Sequence, residues 1–104
     1  MNDSDVPAIH LERDISAARQ TELGVQGWPV WKDVEGSRVL TLDASENSYF
    51  LQGSATLTPE GGAAVTVNKG DLVVVPAGPC RWEVHATVRR HYRSDALTPA
   101  CCII

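Results

Sequence analysis

From Ser37 onward the apolar positions fall in short runs, broken by glycine, proline and small polar residues. Arg38–Leu42, Ser48–Leu51, Ser54–Thr58, Ala63–Val67, Leu72–Val75, Arg81–His85 and Val88–Arg93 each read as a strand. Short strands at this spacing, with Gly/Pro turns between them, predict an all-β sandwich or barrel. Pro59-Glu-Gly-Gly62 supplies a hairpin turn with glycines where positive φ is needed. Gly70-Asp71 makes a tight turn before Leu72-Val-Val-Val75, and Pro76 stops that strand because it has no N–H for the ladder. Gly78 then opens a backbone region closed to other residues. Glu46-Asn-Ser-Tyr-Phe-Leu-Gln-Gly53 reads as a strand ending in the same manner.

The first third is patterned differently. Asp14–Leu23 reads as a short helix, with Asp14 as N-cap and Gly24 as the stop. Gly27-Trp-Pro-Val-Trp31 is extended, because a residue before proline is pushed out of the α region. Residues 1–7 form a polar terminus, and Ser94–Ile104 carries no strand signal until its final Cys-Cys-Ile-Ile. The organisation expected is an N-terminal extension over 1–22, a β-barrel domain over 23–93 and a tail over 94–104.

Length and composition narrow the picture. A chain of 104 residues, 43% apolar, is one domain with a single core. It has no run of about 18 apolar residues, so no membrane span is expected. The acidic start Met-Asn-Asp-Ser-Asp lacks the basic and apolar regions of a signal peptide, which points to the cytoplasm. A net charge of −4 argues against general nucleic-acid binding. The basic residues are unevenly spread: Arg81, Arg89, Arg90 and Arg93 cluster with His85 and His91. Such a cluster reads first as a solvated sheet face, and second as an anion-attracting patch. Cys80, Cys101 and Cys102 make neither a disulfide framework nor a C-x-x-C zinc spacing, and reduced thiols are expected. Cys101-Cys-Ile-Ile104 fits a prenylation box in form only, since no polybasic segment precedes it.

The motifs resemble those of the cupin superfamily. Glu46, six residues and Gly53 match the end of the first cupin motif, and Gly70, Pro76 and Gly78 match the frame of the second. The likeness is closer to very small cupins related to (S)-ureidoglycine aminohydrolase and an ethanolamine-utilisation cupin. It rests on Trp28-Pro-Val-Trp31, Glu46–Gly53, Gly70–Gly78, Cys80-Arg-Trp-Glu-Val84 and Val88-Arg-Arg-His-Tyr92, in that order. The resemblance implies a cupin-type double-stranded β-helix, or jelly-roll barrel, a homodimer and a small-molecule ligand. It departs where the first motif's histidine pair would lie, since Val39, Leu40, Thr41 and Leu42 stand there. Cys80 takes the place of the second-motif histidine when the chain is anchored on Cys-x-Trp.

Cupins hold divalent metals with imidazole and carboxylate on inward faces. The nearest set the resemblance implies here is Glu46, Cys80 and His91, for Mn, Fe, Zn or Ni held weakly or not at all. Strand alternation puts Cys80, Trp82 and Val84 on one face, inward because two of them are apolar. On the last strand Val88, Arg90 and Tyr92 share one face, and Arg89, His91 and Arg93 the other. The resemblance favours Arg90 and Tyr92 as cavity residues. The ligand-binding set is then Arg90, Tyr92, Trp82 and Glu46. A buried arginine needs a carboxylate or an anionic ligand, and Glu46 is the candidate partner. Three functions follow: a cupin binding a small anionic molecule, a metal-dependent hydrolase or isomerase, and a metal-free structural or subunit module.

Overall fold

The computed structural model describes residues 8–95. Its strands are β1 (His10–Glu12), β2 (Val30–Asp33), β3 (Gly36–Leu42), β4 (Glu46–Pro59), β5 (Val65–Asn68), β6 (Leu72–Val75) and β7 (Gly78–Ser94), with an α-helix, α1 (Ala17–Leu23), followed by a 3-10 turn over Val25–Gly27. All pairings are antiparallel, in the order β1-β6-β4-β7-β2, with β3 also on β7 and β5 also on β4.

The two long strands organise everything else. β4 and β7 pair from Glu46↔Ser94 to Pro59↔Cys80, so each serves both halves of the fold. At one end they carry β6 and β2; at the other they carry β5 and β3. Between the halves the register slips around Phe50, Gln52, Ser54 and Ala55. These bulges bend the sheet so that both halves close over one core. That core joins Phe50, Ala55 and Leu57 from β4 to Val67, Val73 and Val75, and to Cys80, Trp82, Val84 and Val88 from β7. The result is an all-β jelly roll.

Two strand readings need correction at the bend. Ser48–Leu51 and Ser54–Thr58 are one strand, and so are Arg81–His85 and Val88–Arg93. Gly53 does not end a strand. It sits inside β4 at φ 88°, where a Cβ would lie 2.1 Å from the Thr87 carbonyl oxygen and 2.6 Å from that of Ala86. Only glycine lets the two backbones approach this closely. By contrast, the hairpin at Pro59–Gly62 and the span Leu72–Val75 lie where the sequence pattern puts them.

The helix is shorter than its sequence suggests. Ser16, not Asp14, is the N-cap, its hydroxyl accepting from the Arg19 N–H at 3.1 Å. Asp14 instead has φ 45° and donates its backbone N–H to buried Asp71. Gly24, at φ 73°, closes the helix as expected. β1 carries no periodic signal, yet it pairs with β6, and the Arg19–Glu12 ion pair ties it to α1. Asp71 joins these parts: its carboxylate accepts from the Asn68 and Asp14 N–H groups and from Arg13. Cys101-Cys-Ile-Ile104 and the polar terminus over 1–7 lie outside the described residues.

Candidate functional site

A cavity of about 520 Å³ opens between β2 and β3. Each wall comes from a different strand. β2 brings Trp31, β3 brings Arg38 and Leu40, β4 brings Glu46, and β7 brings Arg90 and Tyr92. Alternation explains the selection: Arg90 and Tyr92 follow Val88 on the face that points into the barrel. Trp31 is half exposed at the mouth and meets Tyr92 edge to face, with ring centroids 6.5 Å apart.

The floor is a buried guanidinium held on several sides. Arg90 is 4% exposed. Its Nε donates to Asp33 Oδ2 at 2.8 Å, and its Nη1 donates at 2.8 Å to both Glu46 Oε1 and Ser48 Oγ. Its Cζ lies 4.7 Å from the centre of the Trp82 ring and 5.7 Å from that of Tyr92. Nη2 has no hydrogen bond among the described residues. Among those residues the one fully buried side-chain nitrogen or oxygen without a partner is Trp82 Nε1. Arg90 itself lines the cavity.

Asp33, which sequence reasoning did not single out, is the hub of this arrangement. It is wholly buried. It takes hydrogen bonds from Arg90, from Trp31 Nε1 at 3.1 Å and from Arg38 Nη2. Alternation along β2 puts Asp33 on the face of Trp31, but that alone does not tell a buried face from a solvated one. Arg38, also not singled out, stands two residues before Leu40 on the same face of β3.

The four residues expected to bind a ligand divide into two kinds. Glu46, Arg90 and Tyr92 line the cavity together. Trp82 lies beneath, 1% exposed, with Phe50 stacked on it at 6.4 Å, and it carries Arg90 rather than reaching the cavity.

Glu46, Cys80 and His91, the implied metal set, are not brought together. Among the described residues no group of three or more His, Cys, Asp or Glu side chains is placed to hold a metal ion. Glu46 Oε1 is engaged with Arg90. His91 is on the opposite face of β7, its Nδ1 bonded to the Trp28 carbonyl oxygen at 2.8 Å. Cys80 is buried in the core, opposite Leu40 and Pro59, and borders a separate cavity of about 380 Å³ with Pro59 and Pro79. Burial pushes its thiol pKa up from the usual 9.0, which keeps it neutral and a poor metal ligand. The donors present do not fit the metal that the fold commonly carries.

The Arg cluster also separates. Arg81, Arg89 and Arg93 point outward, while Arg90 alone is buried.

The chain is similar to several proteins of known structure. A DUF861 family protein from Thermotoga maritima is 34% identical, with a TM-score of 0.78 over 84% of this chain and 99% of that one. A protein of unknown function of the same family from Pseudomonas syringae is also 34% identical, with a TM-score of 0.54 over 61% of this chain and 28% of its own. The Clostridium difficile EutQ protein, at 17% identity and a TM-score of 0.55 over 83% of this chain and 66% of that one, shares the fold. Comparison with curated proteins finds no match. The profile described as the EutQ-like cupin domain matches residues 20–92, across the strands that build the cavity. The chain belongs to the EutQ-like cupin domain family.

Proposed function

We propose that this cupin binds a small anionic molecule in the β2–β3 cavity without using a metal. The observation that carries the reading is Arg90, which lines the cavity with Nε and Nη1 fixed and with Nη2 unbonded among the described residues. A donor held this rigidly has already lost its rotamer freedom, so a ligand oxygen meets it at little further entropic cost. Lys32, Arg38 and Arg90 border the cavity against Glu46 and the buried Asp33, which leaves one positive charge for an acid. Trp31 and Leu40 offer apolar surface to the ligand's carbon skeleton.

The test is a titration of the untagged protein with small mono- and dicarboxylates and inorganic phosphate, followed by calorimetry and amide chemical shifts. Saturable binding is expected for at least one acid. Arg38→Ala removes the cavity's surplus positive charge and is expected to weaken binding roughly tenfold or more. Absence of saturable binding by every acid overturns the reading.

The homodimer expected from the resemblance has a candidate surface. Val30, Trp31, Val34 and Val39 are all exposed along β2 and β3 and the turn between them. A second copy seated there would also wall the cavity, since Trp31 and Val34 belong to both. Sedimentation at graded concentrations, with Val39→Lys as the disrupting variant, tests it. We place the protein in the cytoplasm, where the reduced thiol of Cys80 is the ordinary state.

A further inference from the structure

We infer that Arg90 is a resident cation: its guanidinium occupies the carboxylates of Asp33 and Glu46, and supplies the cavity's positive charge in place of a divalent metal. The inference goes beyond anion binding, because it concerns what the barrel's own acidic groups are built to hold.

Glu46 is the residue that matches the glutamate of the first cupin motif, and it is where a metal would need a carboxylate. In this chain its Oε1 accepts from Arg90 Nη1 at 2.8 Å. The same nitrogen bonds Ser48 Oγ, and the opposite edge of the guanidinium bonds Asp33 Oδ2, each at 2.8 Å. Two carboxylates and a hydroxyl thus surround one planar cation, which the Trp82 and Tyr92 rings cover. Oxygen donors of this kind suit a hard divalent ion as well as a guanidinium. The two cannot share the site, since like charges at contact distance repel strongly in a buried setting.

The residues that complete a cupin metal site elsewhere are correspondingly diverted. His91 donates its Nδ1–H to the Trp28 carbonyl oxygen, and Cys80 is neutral in the core. Nothing else among the described residues is placed to complete a metal shell around Glu46. Arg90 also lines the cavity with Nη2 unbonded among the described residues, a donor where a metal would have an open coordination position. A guanidinium offers a directed hydrogen bond there, not an exchangeable Lewis-acid site.

The consequence is that removing the guanidinium leaves Asp33 and Glu46 as a vacant receptor for a cation of the same shape. The experiment compares wild type with Arg90→Ala by thermal unfolding in methylguanidinium chloride, with methylammonium chloride as the ionic-strength control. At about ten times its Kd, methylguanidinium is expected to raise the Tm of Arg90→Ala by roughly 5 °C or more and leave wild type unchanged. Equal responses in both proteins, or none in either, overturn the inference.

If Arg90→Ala does not fold, Arg90→Met and the double variant Arg90→Met/Glu46→Gln replace it. The double variant is expected to unfold at higher temperature than the single, because one uncompensated carboxylate has been neutralised. A double variant no more stable than the single overturns the proposal. So does near-stoichiometric Mn²⁺ or Zn²⁺ on the wild-type protein that Glu46→Gln abolishes. These readouts follow cations and stability, so they fail or succeed independently of whether any acid binds.

Discussion

Asp33 shows how much one side chain decides. A wholly buried carboxylate is tolerable only when paired, and here three donors from β2, β3 and β7 pair it. Asp33→Ala leaves Arg90 with one carboxylate fewer and releases Arg38 and Trp31 from the cavity wall. Breaking a buried pair costs about 3–5 kcal/mol, and urea unfolding is expected to show a loss in that range. Asp33→Asn, which keeps the shape and one acceptor, is expected to lose less. Among the expected ligand residues, Glu46, Arg90 and Tyr92 were legible because alternation and the motif agreed on them. Asp33 was not, because a charged residue at a strand end looks the same whether it faces solvent or a buried arginine. The implied metal set is dispersed for a related reason. Motif position locates Glu46, but the partner that takes its charge comes from a strand 44 residues away.

At the level of elements, the sequence marks the strands but not their continuity. Glycine inside an apolar pattern is read as a strand end, and Gly53 has that look while sitting in the middle of β4. Its function is the bend: the Thr87 carbonyl oxygen occupies the space a side chain would need. Gly53→Ala meets both that contact and a positive φ. Overpacking of this kind costs about 1–3 kcal/mol and the left-handed backbone about 1–2 kcal/mol more. Thermal unfolding is expected to show a clearly lowered Tm, and a Tm equal to wild type contradicts the close approach. The helix start was misread for a local reason, since Asp14 and Ser16 are both good caps and only tertiary contacts choose between them. Asp14 is drawn away by Asp71, leaving Ser16 to cap. Ser16→Ala is expected to cost about 0.5–2 kcal/mol, as N-cap losses do. β1 had no signal to read: three residues paired to β6 are too few for a period.

On the scale of the whole molecule, β4 and β7 make the two halves of the barrel one cooperative unit, and Cys80 reports on that unit. It is flanked by β3 and β4 ladders and is 1% exposed. Modification of its thiol therefore requires the barrel to open. Burial raises the thiol pKa in the folded state above the usual 9.0. A folded pKa higher than the unfolded one means that the native state binds the proton more tightly. The associated stability is full below the unfolded pKa and is lost as pH rises through the folded pKa. Two outcomes follow for this thiol. Unfolding free energy is expected to fall as pH is raised above about 9, and the fall is expected to be shallower in Cys80→Ala. At neutral pH, reaction of Cys80 with a thiol reagent, followed by mass mapping, is expected to track the unfolding curve in urea. Fast labelling of Cys80 in the native protein would mean that the core opens locally around β7, and that the two halves of the sheet are not coupled as the continuous strands require.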